Sequence, residues 1–296
     1  MTRHWLYLLT VMVLSVANSV TGVARQNYTD DLRTKAEQGD PISQFELGSA
    51  YEAGRRGLPQ DGVEAARWYR LAAEQDLDRA QYRLGLLYAN GASRFGHAEG
   101  VRWLRLAADQ GLADAQYNLG VMYANGRGVP QDDAEAVRLL QLAAGQQYAS
   151  AQYGLGLMYS NGRNVPQDDA EAVHLFRLAS GQGHASAQYN LGLMYVDGVG
   201  VVQDHEEAVR FFGLAATQGH ARAQYNLGLM HADGRGVPKD DVTAHMWFDL
   251  AASQATGEDQ NQAVQNRDMI AERLNSNQRA EAQRLAREWN DAHPRD

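Results

Sequence analysis

Between residues 40 and 255 the apolar side chains fall in short helical stripes, and each stripe returns at a nearly fixed interval. The third unit shows the pattern. Over residues 114–125, Ala115, Leu119, Met122 and Tyr123 stand at i, i+4, i+7 and i+8, one face of a helix. Asn125-Gly126 ends it, because glycine accepts the left-handed backbone that closes a helix. Pro130 then stiffens a connection that cannot continue as helix. Asp132, with Glu135 three residues on, predicts a capping-box start for a second helix. The same spacing recurs at Asp61/Glu64, Asp168/Glu171 and Asp204/Glu207. In that second helix Ala136, Leu139, Leu140 and Ala143 form the buried stripe, and Ala143-Ala144 lets a neighbour come close. Each unit therefore predicts helix–turn–helix.

Two landmarks measure the period. The glycines of Leu-Gly pairs stand at Gly48, Gly85, Gly120, Gly156, Gly192 and Gly228, separated by 37, 35, 36, 36 and 36 residues. Leu-Ala-Ala or a near variant begins at Leu71, Leu106, Leu142, Leu178, Leu214 and Leu250, separated by 35 and then four times by 36. A period of this size over about 200 residues is the mark of a helical array. Glycine inside a helix costs about 1 kcal/mol relative to alanine. Its return in register predicts a tight helix–helix contact in which no Cβ fits.

The string A-Q-Y-N-L-G-x-M-Y-x-N-G-x-G-V-P-Q-D-x-x-E-A-V, closed by L-A-A, resembles the Sel1-like repeat, a relative of the tetratricopeptide repeat with a slightly longer period. The resemblance covers roughly residues 40–255. It implies an all-α, right-handed superhelical solenoid of about six helix–turn–helix repeats, whose concave surface serves as an adaptor or scaffold. Two turns depart from the pattern: residues 91–96 replace the usual turn in a shortened second repeat, and Val202 stands where repeat five should have proline. Their geometry stays open.

Past residue 255 the period breaks. Ala263, Ile270 and Leu274 predict one helix, and Asn275 with Gln278 opens another that places Ala282, Leu285 and Trp289 on one face. Residues 256–296 read as a helical cap on the array of residues 25–255, resembling the segment that follows many Sel1-like arrays.

A second stripe on the first helix, Tyr117, Val121 and Asn125, faces away from the core stripe. By analogy with tetratricopeptide arrays it lines the concave groove. Its counterparts form a ladder of Tyr82, Tyr117, Tyr153, Tyr189 and Tyr225, flanked by Arg83, Asn118, Gly154, Asn190 and Asn226. Tyrosine and arginine are favoured at interface centres, and asparagine can hydrogen-bond a peptide backbone. The candidate partner-binding set is therefore Tyr82, Arg83, Tyr117, Asn118, Tyr153, Tyr189, Asn190, Tyr225 and Asn226. A competing reading has the recurrent tyrosines simply packing between repeats.

Composition narrows the function. Lys and Arg number 27 against 36 Asp and Glu, a net charge of −9, which argues against a nucleic-acid partner. Arg3 is the sole charge in residues 1–24; a 12-residue apolar run (5–16) and Gly22-Val23-Ala24 follow, as in a secretory signal. The run is shorter than the ~20 residues that span a bilayer. A periplasmic or secreted chain without stable membrane insertion is expected, a retained N-terminal anchor being the alternative.

With no cysteine, thiol catalysis, disulfides and thiolate metal sites drop out. His184 and His220 share one repeat position but show no third ligand, so no metal site is expected. His231 replaces a repeat tyrosine, and there is no H-E-x-x-H, G-x-S-x-G or P-loop. No catalytic residue and no cofactor are assigned. The expected function is a non-enzymatic scaffold gripping a protein or peptide in the concave groove. Binding of peptidoglycan or other glycan fragments is one alternative. An envelope hydrolase is another, and would need His231, His245 and a carboxylate within hydrogen-bond reach.

Overall fold

Glycine and aspartate punctuate the chain as their backbone chemistry requires, and helices fill the intervals. A computed structural model describes residues 29–91 and 96–293. The expected signal over 1–24 lies outside them, as do residues 92–95 of the shortened turn. Among the described residues there are 15 helices and no strands. Helix α1 covers residues 29–37. Six helical hairpins follow: α2 (Pro41–Ala53) with α3 (Gly62–Ala73), α4 (Asp78–Ala89) with α5 (Gly96–Asp109), α6 (Ala113–Asn125) with α7 (Asp133–Gly145), α8 (Ala149–Asn161) with α9 (Asp169–Gly181), α10 (Ala185–Asp197) with α11 (His205–Thr217), and α12 (Ala221–Asp233) with α13 (Asp241–Gln254). Helices α14 (Gly257–Ala271) and α15 (Ser276–Ala292) complete the chain. No described helix is long and apolar enough to cross a membrane.

The chain divides into two compact units, one ending at Leu139 and the other beginning at Leu140, so the boundary falls inside α7. In the first unit Ala65, Tyr69, Leu84 and Tyr88 share one cluster, and Leu104, Ala115, Leu119 and Leu139 another. In the second, Val173, Phe176, Leu191 and Phe211 form one cluster, and Phe212, Leu227, Trp247 and Leu250 a second.

In five of the six hairpins the first helix ends on a left-handed glycine: Gly54, Gly126, Gly162, Gly198 and Gly234 have φ of 60°, 64°, 64°, 69° and 71°, whereas α4 ends on Asn90 with φ −84°. Val202 leaves its turn unchanged. Gly198 and Gly200 there have φ of 69° and 68°, against 71° and 70° for Gly234 and Gly236 in the turn that keeps its proline. The left-handed residues set this turn, and proline only stiffens it.

The expected capping boxes form by half. Asp61, Asp132, Asp168 and Asp204 accept backbone N–H bonds at the starts of their helices. The reciprocal glutamate bond is missing because the aspartate N–H is already committed: Asp132 donates to Tyr123 O (3.1 Å) and Asp204 to Tyr195 O (2.9 Å). Glu135 and Glu207 turn instead to Arg138 and Arg210 one turn on. Both halves are present at Asn275 and Gln278. Asp204→Ala should cost about 1 kcal/mol and Asp204→Asn only a few tenths, read from urea midpoints; equal costs would remove the cap from the account.

The in-helix glycines sit where the paired helix touches backbone. A Cβ on Gly85 would stand 2.8 Å from Leu104, on Gly156 2.7 Å from Phe176, and on Gly228 2.6 Å from Phe248. Beside them runs a buried glutamine series that the hydrophobic pattern does not disclose. Gln44, Gln81, Gln116, Gln152, Gln188 and Gln224 each donate to the carbonyl eight residues earlier, at the end of the preceding helix. The side-chain oxygens of four of them accept from a glutamine just past the second helix of the same repeat: Gln75 donates to Gln44, Gln110 to Gln81, Gln182 to Gln152 and Gln218 to Gln188, at 2.8–2.9 Å.

The leucine of the Leu-Ala-Ala landmark is half-exposed in five repeats, 40% at Leu214, yet Leu250 is 1% exposed. Helix α15 makes the difference. It packs on α13, with Ala286, Leu285 and Trp289 joining the Trp247–Leu250 cluster and the Trp247 and Trp289 rings 4.7 Å apart.

Candidate partner-binding site

In the second unit the tyrosine ladder is built by the first helices. Tyr153 on α8, Tyr189 on α10 and Tyr225 on α12 are half-buried, each with its ring against the aromatic of the paired helix. Tyr153 lies 5.8 Å from Phe176, Tyr189 5.9 Å from Phe212, and Tyr225 5.5 Å from Phe248. The hydroxyls are met by amides of the following repeat: Asn190 donates to Tyr153 (3.4 Å) and Asn266 of α14 to Tyr225 (2.8 Å). Asn226 bonds Tyr189 in the same way. Burial pushes the Tyr189 and Tyr225 phenols up, so both stay protonated at neutral pH. The tyrosines pack between repeats, and their remaining edges line a surface.

That surface is a hollow of about 520 Å³ whose walls include Tyr153, Tyr189, Asn190, His220, Arg222 and Asp259. A second hollow of about 210 Å³ adjoins it, sharing Tyr189, Arg222 and Asp259 and adding Tyr225, Asn226 and Gln262. Five of the sequence-predicted residues thus meet in one place. Arg222 and Asp259 were not among the candidates. The Arg222 Nε donates to Asp259 Oδ2 at 2.8 Å, and both side chains are exposed. Their signal was faint: Arg222 stands where repeats four and five have Ser150 and Ser186, and Asp259 lies where the period has already broken.

In the first unit Tyr82 and Asn118 form the same rung, with Asn118 donating to the Tyr82 hydroxyl (3.3 Å) and to Asp114 O (2.8 Å). Tyr117 is half-buried on α6. Arg83 is otherwise engaged. It pairs with Glu52, which also accepts the hydroxyl proton of fully buried Tyr69 at 2.8 Å. A guanidinium in that network holds α2 and α4 together more than it waits for a ligand.

His184 and His220 serve as helix N-caps. Their Nδ1 atoms accept from Ala187 N and Ala223 N at 3.3 Å, and their rings stack on Tyr153 and Tyr189 at 4.6 Å. The lone pair a metal would need is already used. His231 and His245 each keep a buried Nδ1 with no hydrogen-bond partner, so no carboxylate reaches them through that atom.

The Sel1 repeat profile matches residues 41–77, 78–112, 113–148, 149–184, 185–220 and 221–255, each beginning at or next to the start of a first helix. The chain belongs to the Sel1 repeat family. Among solved structures it is similar to c5321, a protective antigen present in uropathogenic Escherichia coli strains, displaying an SLR fold, with 30% identity and a TM-score of 0.82 over 90% of this chain. The chain spans 56% of that protein. A Sel1 repeat protein from Oxalobacter formigenes is similar at 34% identity and a TM-score of 0.69, over 73% of this chain and 89% of the other. A comparison with curated proteins found no match. Sel1 repeat proteins generally mediate protein–protein interaction.

Proposed function

We propose that this Sel1 repeat protein is a non-enzymatic scaffold or adaptor, exported to the periplasm or secreted, that holds a polypeptide in the Tyr153–Tyr189–Tyr225 hollow. The observation that carries the reading is the convergence of tyrosine edges, Asn190, Asn226 and the Arg222–Asp259 pair around two adjoining hollows. Tyrosine offers apolar area and a polar tip at low entropic cost, which suits a side chain of a bound segment. An exposed ion pair contributes little to folding, so either partner can be exchanged for a ligand group at small cost. Export rests on the pattern of residues 1–24 alone.

The Tyr–Asn bonds make Asn→Ala a poor probe, since it loosens neighbouring repeats as well. Ser186→Arg is cleaner. Ser186 lines the larger hollow and occupies the position where repeat six itself carries Arg222. The helix should tolerate the change while the hollow fills. Affinity capture with wild type should recover a protein that Ser186→Arg recovers roughly tenfold less well, about 1.4 kcal/mol, at equal helicity by circular dichroism. Equal recovery would move the site elsewhere. Retention of glycan fragments and no protein would favour the glycan reading.

A further inference from the structure

Helix α13 departs from its counterparts at two adjacent positions. Val101, Val137, Val173 and Val209 on the earlier second helices give way to His245, and Arg102, Arg138 and Arg210 give way to Met246. Both residues are buried, His245 at 5% and Met246 at 7% exposure, on a helix that packs against both α14 and α15. Methionine in place of an exposed arginine fits a face that α15 covers. A histidine in place of valine does not follow from packing, because it brings a polar ring to an apolar position. Its Nδ1 has no hydrogen-bond partner.

The charged groups facing His245 are Asp249 on its own helix, Arg267 and Asp268 on α14, and Arg279 on α15. Both carboxylates are already engaged, because Arg267 bonds Asp249 at 3.1 Å and Asp268 at 2.8 Å. Asp241, one turn earlier on α13, faces Arg273 at 3.8 Å. A proton added at Nδ1 would create a buried cation beside two arginines, with no hydrogen bond to Nδ1 in place and both facing carboxylates shared with Arg267, which is costly unless the site opens to water. Burial accordingly holds the imidazole below its ordinary range, with the arginines adding to the effect and Asp249 and Asp268 opposing it.

We propose that His245 makes the closure of α14 and α15 over α13 acid-sensitive: protonation releases α15 and uncovers Met246, Trp247 and Leu250.

Hydrogen exchange on the full chain without a partner tests it. Protection factors over residues 276–292, corrected for intrinsic exchange, should fall roughly tenfold or more between pH 7.5 and pH 5 in wild type, more than those of α8–α10. His245→Val, which restores the residue of four other repeats, should keep its protection at both pH values, and so should His245→Gln. His293 stacks on Trp289 at 4.2 Å, so His293→Ala should still release. The proposal is overturned if wild type shows no local loss, or if either His245 variant loses protection as wild type does. Loss of the response in His293→Ala would also overturn it, placing the switch at the Trp289 stack.

Discussion

Gly156→Ala should destabilise the chain by about 1–3 kcal/mol, although alanine is the better helix former by about 1 kcal/mol. The new methyl would stand 2.7 Å from Phe176 Cε1 and 2.8 Å from Cδ1. Phe176 is 2% exposed and lies against Tyr153 on the same helix as Gly156, so the ring has nowhere to slide. Phe176→Ala alone should cost about 3–5 kcal/mol as a large-to-small core change. The informative measurement is the double mutant by urea unfolding. With the ring gone, alanine at 156 no longer meets it, and the substitution should turn neutral or stabilise by up to about 1 kcal/mol. The two changes then fail to add by at least the overpacking cost. If Gly156→Ala costs the same in both backgrounds, contact with the ring is not why glycine recurs there.

The hairpin architecture was legible because several local signals agree at each boundary. An apolar stripe, a left-handed glycine and an aspartate cap are all properties of a short stretch of chain, readable without knowing what packs against it. The signals that misled involve a second claimant for the same atom or face. Asp-x-x-Glu reads as a capping box until the end of the previous helix takes the aspartate N–H. The leucine of Leu-Ala-Ala likewise depends on a neighbour outside its own repeat: Leu214 remains half-exposed for want of anything packed over it, while Leu250 is buried under α15.

The site was legible only in part for a related reason. Tyr153, Tyr189 and Tyr225 recur at one period and do meet around the hollows, but their hydroxyl bonds to Asn190, Asn226 and Asn266 join residues one repeat or more apart. No pattern within a single helix announces them. Arg222 and Asp259 were harder still, because an irregular position in a repeat draws no notice until its partner is located in space. The buried glutamines recur in every repeat, but the apolar stripe does not mark them. A polar residue beside an apolar stripe reads as a solvent-facing neighbour until its carbonyl partners are known.

Stability should fall as pH drops from about 7.5 to about 5.5. Burial is the leading cause that lowers the imidazoles of His184, His220, His231 and His245 from their ordinary value of 6.5. Above that value both folded and unfolded chains carry them neutral, and their contribution is intact. As pH falls through it the unfolded chain takes up protons that the folded chain refuses, and stability drops until the folded values are reached. Four such groups let the slope approach, but not exceed, four protons. Asp40 and Glu135, held low by hydrogen bonds from Ser43 and Arg138, keep their contributions through this window and lose them only in stronger acid. Two of the histidines offer a sharp test because their Nδ1 atoms are N-caps. Asparagine caps a helix well and does not titrate. His184→Asn/His220→Asn should therefore match wild type at pH 7.5 within the loss of the two ring stacks, and show a shallower fall in urea midpoint toward pH 5.5. An undiminished slope in that double mutant would mean that neither cap resists protonation. A midpoint that rises in acid would remove burial of neutral imidazole from the account altogether.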